Sequence, residues 1–194
     1  MHILARSIVI GSAVLAVGCA HQINITPPLN TLDGSNIVKI NKTVGYYISP
    51  ADRAKEVETP GGGGDKVKYL PYPETEPALN KVLTNLYTNV VSVPSLDDKQ
   101  FIASKQIAYI FVPSITTDSG SDSALTWPPT RFTVSLDTKA MGPNGNVVWQ
   151  TKVKGEGKAE FNEFKHDFSL SARLASKQAF QNLQQAINAS AELR

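Results

Sequence analysis

The chain has one cysteine, Cys19, at the end of an apolar N-terminal stretch. That limits what can hold a fold together. A lone thiol forms no intramolecular disulfide and no thiolate zinc site, so the fold must rest on a buried apolar core. Arg6 supplies a positive charge near the start, Ser7 to Val17 form an apolar run, and Gly18 leads into the thiol. A basic residue, a short apolar stretch and a small-residue cleavage zone are the pattern of a secretory signal peptide. The run is shorter than the roughly 20 apolar residues that cross a bilayer. Residues 1–18 are therefore expected to be removed as a signal peptide.

The segment Leu15-Ala16-Val17-Gly18-Cys19 resembles the lipobox of bacterial lipoproteins. The resemblance implies cleavage before Cys19, acylation of its thiol with palmitate-type chains, and a mature protein attached to a membrane without crossing it. Ala20 follows the cysteine where an Asp would retain such a protein at the inner membrane, so the resemblance implies an outer-membrane location facing the periplasm.

Removing residues 1–18 leaves about 175 residues, enough for one domain with its own core. The formal net charge is +2, with no basic cluster, so no nucleic-acid partner is expected. Lys152, Lys154 and Lys158 are spread along one strand-like segment and read as solvent-facing. Residues 19–35 contain Pro27, Pro28, Asn30, Asp33 and Gly34. They read as an extended tether that pairs at most briefly through Ile23 and Ile25, with a reach on the order of 50 Å. The periplasmic domain then covers 36–194.

Within that domain, alternation predicts a strand over Ile37 to Ile48. Ser49 and Pro50 open a short helix as N-cap and first helical residue. Gly61 to Gly64 read as a mobile loop between extended segments; the Gly-Lys-Ser/Thr helix opening of a phosphate cradle is missing. Leu79, Val82, Leu83, Leu86 and Val90 recur at helical spacing, predicting a helix over Glu74 to Val90. Ile107 to Val112 is apolar on both faces, as in a central strand. A polar loop is expected from Ser114 to Thr130. A strand follows over Arg131 to Ala140, with Phe132, Val134 and Leu136 inward. Asn144-Gly145 marks a hairpin turn. The returning strand holds Gly155 and Gly157, which signal a bend, a bulge or close packing. A final helix is expected from Ser169 to about Leu193. The expected fold is α+β: a single domain with one mixed, mostly antiparallel sheet and two main helices on one face.

No catalytic constellation is evident, and the chain is not expected to be an enzyme. His166 is the one histidine in the 36–194 domain, and no nucleophile elbow occurs. Asp118 and Asp122 flank a glycine but lack the further oxygens of a calcium loop. No metal or cofactor is expected. The candidate partner-binding residues are Trp127, in Trp127-Pro128-Pro129, and Tyr69 and Tyr72, in Tyr69-Leu70-Pro71-Tyr72-Pro73, because aromatics are enriched at interfaces. The bland alternatives are that Trp127 folds back on the sheet and that the tyrosines are buried at a strand-to-helix corner.

The chain as a whole resembles small bacterial envelope lipoproteins of the YajG type. The likeness lies in Cys19, the short strand Ile23-Asn24-Ile25-Thr26-Pro27, the helix Ala78 to Val90, the strand pair ending in Trp149 to Gly157, and the alanine-rich last helix. It implies an outer-membrane lipoprotein without catalytic activity. The leading expectation is thus a lipid-anchored domain that binds another cell-envelope component. The runner-up is an accessory subunit of an envelope machine, such as a lipid-transport ABC system, a secretion or motor ring, or a peptidoglycan-synthase activator, for which self-association is expected. The third expectation, an envelope enzyme, lacks a nucleophile–base set.

Overall fold

The alternating segment 131–140 becomes a strand paired along both of its edges. This computed structural model describes residues 20–122 and 126–194; Cys19 and the signal stretch lie outside the described residues. Strand β1 is Ala20–Gln22, β2 Ile40–Tyr46, β3 Val57–Pro60, β4 Lys66–Tyr69, β5 Tyr87–Ser92, β6 Ile107–Gly120, β7 Arg131–Met141 and β8 Val147–Lys158. Helices are α1 Pro50–Arg53, α2 Pro71–Leu86, α3 Lys99–Ser104, α4 Phe161–Phe164 and α5 Leu170–Ala189. The strands form two mixed sheets, ordered β1-β4-β3 and β5-β2-β6-β7-β8, instead of the single sheet expected. The molecule is a single α+β domain.

In the larger sheet, β2 runs parallel to both β5 and β6, while β6–β7 and β7–β8 are long antiparallel ladders. Phe132, Val134, Leu136 and Ala140 on β7 and Phe111 and Ile115 on β6 point to one buried face. That face is covered by α2, α5 and the small sheet, which together close the main core. The opposite face carries a smaller cluster of Val93, Ile102, Ile107 and Ile110 beneath α3. Elsewhere on that face Lys152, Lys154 and Lys158 are exposed, as expected.

The glycines of β8 resolve to close packing. A Cβ on Gly157 would collide with the Ser171 carbonyl and lie 2.6 Å from the Ala175 nitrogen; one on Gly155 would lie 2.9 Å from the Ala179 Cα. Ala172, Ala175 and Ala179 present the matching small surface of α5, so helix and strand approach backbone to backbone. β8 is an edge strand. Its backbone is partly capped from α5: the Glu156 amide donates to Gln178 (2.6 Å) and the Asn182 amide donates to the Lys154 carbonyl (2.8 Å). Such capping blunts the edge against pairing with another chain.

Three of the departures from expectation bear on how the domain packs. Helix α2 starts at Pro71 and stops at Leu86. Tyr87 is already extended (φ −123°, ψ 154°), and the β-branched Thr88, Val90 and Val91 continue as β5. The loop expected from Ser114 is strand up to Gly120. Its inward side chains beyond Ile115 are Thr117 and Ser119, hydroxyls with internal partners, so hydropathy alternation fades while the ladder continues.

The third difference concerns the tether. Residues 20–35 are packed onto the domain and do not form a free spacer. β1 pairs in parallel with β4, Ala20 opposite Lys66. Ile25 is fully buried and Leu32 is 1% exposed. The Ile25 amide donates to Glu74 (2.7 Å) and the Asn24 amide to Ser169 Oγ (3.0 Å). Further along, Asn85 donates to the Leu32 carbonyl, Gln181 to that of Thr31 and Gln184 to that of Asp33. Helices α2 and α5 thus satisfy the backbone of a segment with little regular structure of its own.

Candidate functional site

Tyr69 and Tyr72 are core residues, not surface anchors, and the interface expectation for them does not hold. Tyr69 is fully buried and Tyr72 is 4% exposed. Tyr69 lies at the end of β4 with its ring edge-on to Phe132, centroids 5.4 Å apart. Its hydroxyl donates to Thr117 Oγ1 at 2.6 Å and lies 3.3 Å from Thr59 Oγ1. Ser119 Oγ in turn lies 2.6 Å from Thr59 Oγ1. This hydroxyl network ties the small sheet to β6. Tyr72 opens α2 and accepts the Ile115 amide at 3.2 Å. Burial pushes both phenols above their usual range, which leaves them protonated at neutral pH. Both side chains face inward where β4 turns into α2, the strand-to-helix corner.

Trp127 sits elsewhere. It is half-buried and spans three segments that are distant in sequence. Its ring stacks on His21 of β1 (4.2 Å, interplanar angle 19°) and lies 4.9 Å from Phe168, just before α5. Its carbonyl accepts the Gly62 amide at 2.7 Å. His21 also contacts Asp65 (Nε2 to Oδ2, 3.1 Å), which closes the glycine loop onto the N-terminal strand. The four glycines divide the work. A Cβ on Gly61 or Gly62 would collide with the carbonyls of Trp127 or Thr126, while Gly63 and Gly64 hold φ of 65° and 89°. The loop packs on Trp127 and leads into a strand, with no helix N-terminus behind it to bind phosphate.

One end of the molecule therefore gathers the start of β1, the 61–65 loop, Trp127, the end of β8 and α4. On its surface lie Phe161, 61% exposed, and Phe168, 48% exposed. These are the two aromatics among the large apolar side chains exposed in the described residues. Phe161 packs edge-on to the buried Phe164 (5.5 Å) at a cleft of about 250 Å³ that also includes Thr126, Arg131 and Lys158. Sequence reading found Trp127 but missed its partners. His21 lay in the expected tether, and the two phenylalanines belong to no periodic stripe.

The remaining chemical candidates are dispersed over the molecule. His166 is exposed. Asp122 pairs with Arg131 at 3.0 Å, and Asp118 lies within β6. Asp98 caps α3 through the Phe101 amide (2.8 Å). Glu74 accepts the Ile25 and Leu70 amides, and Glu76 forms a two-pronged ion pair with Arg53. No helix among the described residues is long and apolar enough to cross a membrane.

No protein-family model matches the chain, and no curated protein matches it. The YajG-type resemblance stands on residue pattern alone. Remote likeness is found among solved structures. A Xanthomonas campestris protein of the DUF330 family is similar at 11% identity and a TM-score of 0.44, over 87% of this chain and 90% of that chain. The PelC dodecamer of Paraburkholderia phytofirmans is similar at 15% identity and a TM-score of 0.40, over 73% and 91%. A candidate lipoprotein of Caulobacter crescentus is similar at 16% identity and a TM-score of 0.35, over 82% and 91%.

Proposed function

We propose that the protein is a bacterial outer-membrane lipoprotein, acylated at Cys19, whose periplasmic domain binds another envelope component and catalyses no reaction. The observation that carries this reading is the junction at residues 19 and 20. A signal-like stretch ends at the chain's one cysteine, and the residue that follows it, Ala20, is paired in a sheet. Lipid attachment requires two or more acyl chains to be lasting. Held that way, the domain meets membrane-bound partners at high effective concentration. Fractionation of the native cell envelope tests the reading. Wild type should sediment with outer membranes, and Cys19→Ser should leave them, remaining either soluble or held by its uncleaved signal stretch, with its fold intact. A Cys19→Ser variant that is processed and retained in the outer membrane like wild type would refute the anchor.

A further inference from the structure

We infer that the aromatic end formed by Trp127, Phe161 and Phe168 rests in the interfacial layer of the bilayer and fixes how the domain stands on the membrane. The inference deepens the proposed function and rests on acylation of Cys19. Without a tether, the anchor has almost no slack. Ala20 is held opposite Lys66, and one trans peptide bond separates consecutive Cα atoms by about 3.8 Å. The surface around the start of β1 must then lie at the headgroups, whatever the rest of the domain does.

That surface is the one suited to it. Phe161 and Phe168 project there, and Trp127 lies against Phe168 (4.9 Å). Aromatic rings concentrate at membrane–water interfaces because they combine apolar area with tolerance of a polar layer. Of the nearby cations, Arg131 pairs with Asp122 at 3.0 Å and Lys66 with Glu58 at 3.1 Å, while Lys158 and Lys165 are exposed. Docking rests on the aromatic rings, with Lys158 and Lys165 able to meet lipid phosphates in zwitterionic as well as anionic bilayers. Lys152 and Lys154, further from this end along β8, stand away from the bilayer.

Tryptophan quenching reads this directly, since the chain has two tryptophans. Trp149 lies nine residues before Lys158 on β8, about 30 Å away at ~3.3 Å per residue. Protein carrying its native N-terminal modification, verified by intact mass, is reconstituted in zwitterionic phosphatidylcholine vesicles with brominated or plain acyl chains. In Trp149→Phe, the emission of Trp127 should be lost on brominated vesicles, consistent with burial ~5–10 Å into the interface. In Trp127→Phe, the emission of Trp149 should be unchanged. Replacing the exposed Phe161 and Phe168 with Ser should reduce the quenching while the protein stays anchored. Amide exchange of wild type on the same vesicles gives a second readout, with slowing confined to residues 126–127 and 161–168. Acylated protein showing neither quenching nor slowing would overturn the docking and leave the anchor standing. Protein lacking the acyl mass would overturn both.

Discussion

Tyr69 and Tyr87 are the same residue type at the same burial, yet they contribute in opposite directions. The Tyr69 hydroxyl has partners in Thr117 and Thr59, whereas the buried Tyr87 hydroxyl has none. Burial pushes the Tyr87 phenol far above its usual range, so it stays neutral. Tyr69→Phe should lower stability by about 1 kcal/mol, and Tyr87→Phe should leave it unchanged or raise it by up to about 1 kcal/mol, because an unsatisfied buried hydroxyl is itself destabilising. Urea denaturation of the two variants checks the sign. Glu76 gives a pH-dependent counterpart. The Arg53 hydrogen bonds hold its carboxyl below the usual carboxylate range. A carboxyl lowered on folding adds stability that is present above its unfolded value, about 4.3, and lost as pH falls through the folded value. Glu76→Gln should therefore lower stability at neutral pH by at most about 1 kcal/mol for a pair this exposed. It should narrow the gap to wild type below about pH 4.

At the scale of elements, the contact between β8 and α5 is the least forgiving. Gly157→Ala would drive a methyl group into α5 backbone, which cannot rotate away, and should cost about 1–3 kcal/mol or displace the helix. Gly64→Ala meets nothing within 4 Å but must hold φ near 89°, so it should cost about 1–2 kcal/mol through backbone strain alone. Thermal unfolding of both separates packing from strain: only Gly157→Ala should change near-ultraviolet dichroism. Elements with strong periodicity were legible in the sequence. β7 alternates cleanly, α2 and α5 carry apolar stripes, and Ser49 caps α1 as its position suggests. What escaped had its signal in pairing instead of hydropathy. The outer half of β6 faces inward with hydroxyls. β1 is three residues, Ala20-His21-Gln22, whose place is set by β4. Residues 29–35 are held by side chains of α2 and α5, more than 50 positions away in sequence. Of the candidate site, Trp127 was legible as an aromatic outside any stripe, but its setting depends on three segments that only tertiary structure brings together.

At the scale of the whole molecule, the lipid proposed at Cys19 would sit beside residues 20–35 that are packed on the domain and form no spacer. A domain on a long tether would sample many orientations, while one held at Ala20 would present a constant face to the membrane. The central claim is that acylated Cys19 is the first residue of the mature chain. Intact mass spectrometry of the protein extracted from its native membrane tests it most directly. The predicted result is a chain that starts at Cys19 and carries the added mass of its acyl groups. An unmodified chain, or one cut at another residue, would contradict it.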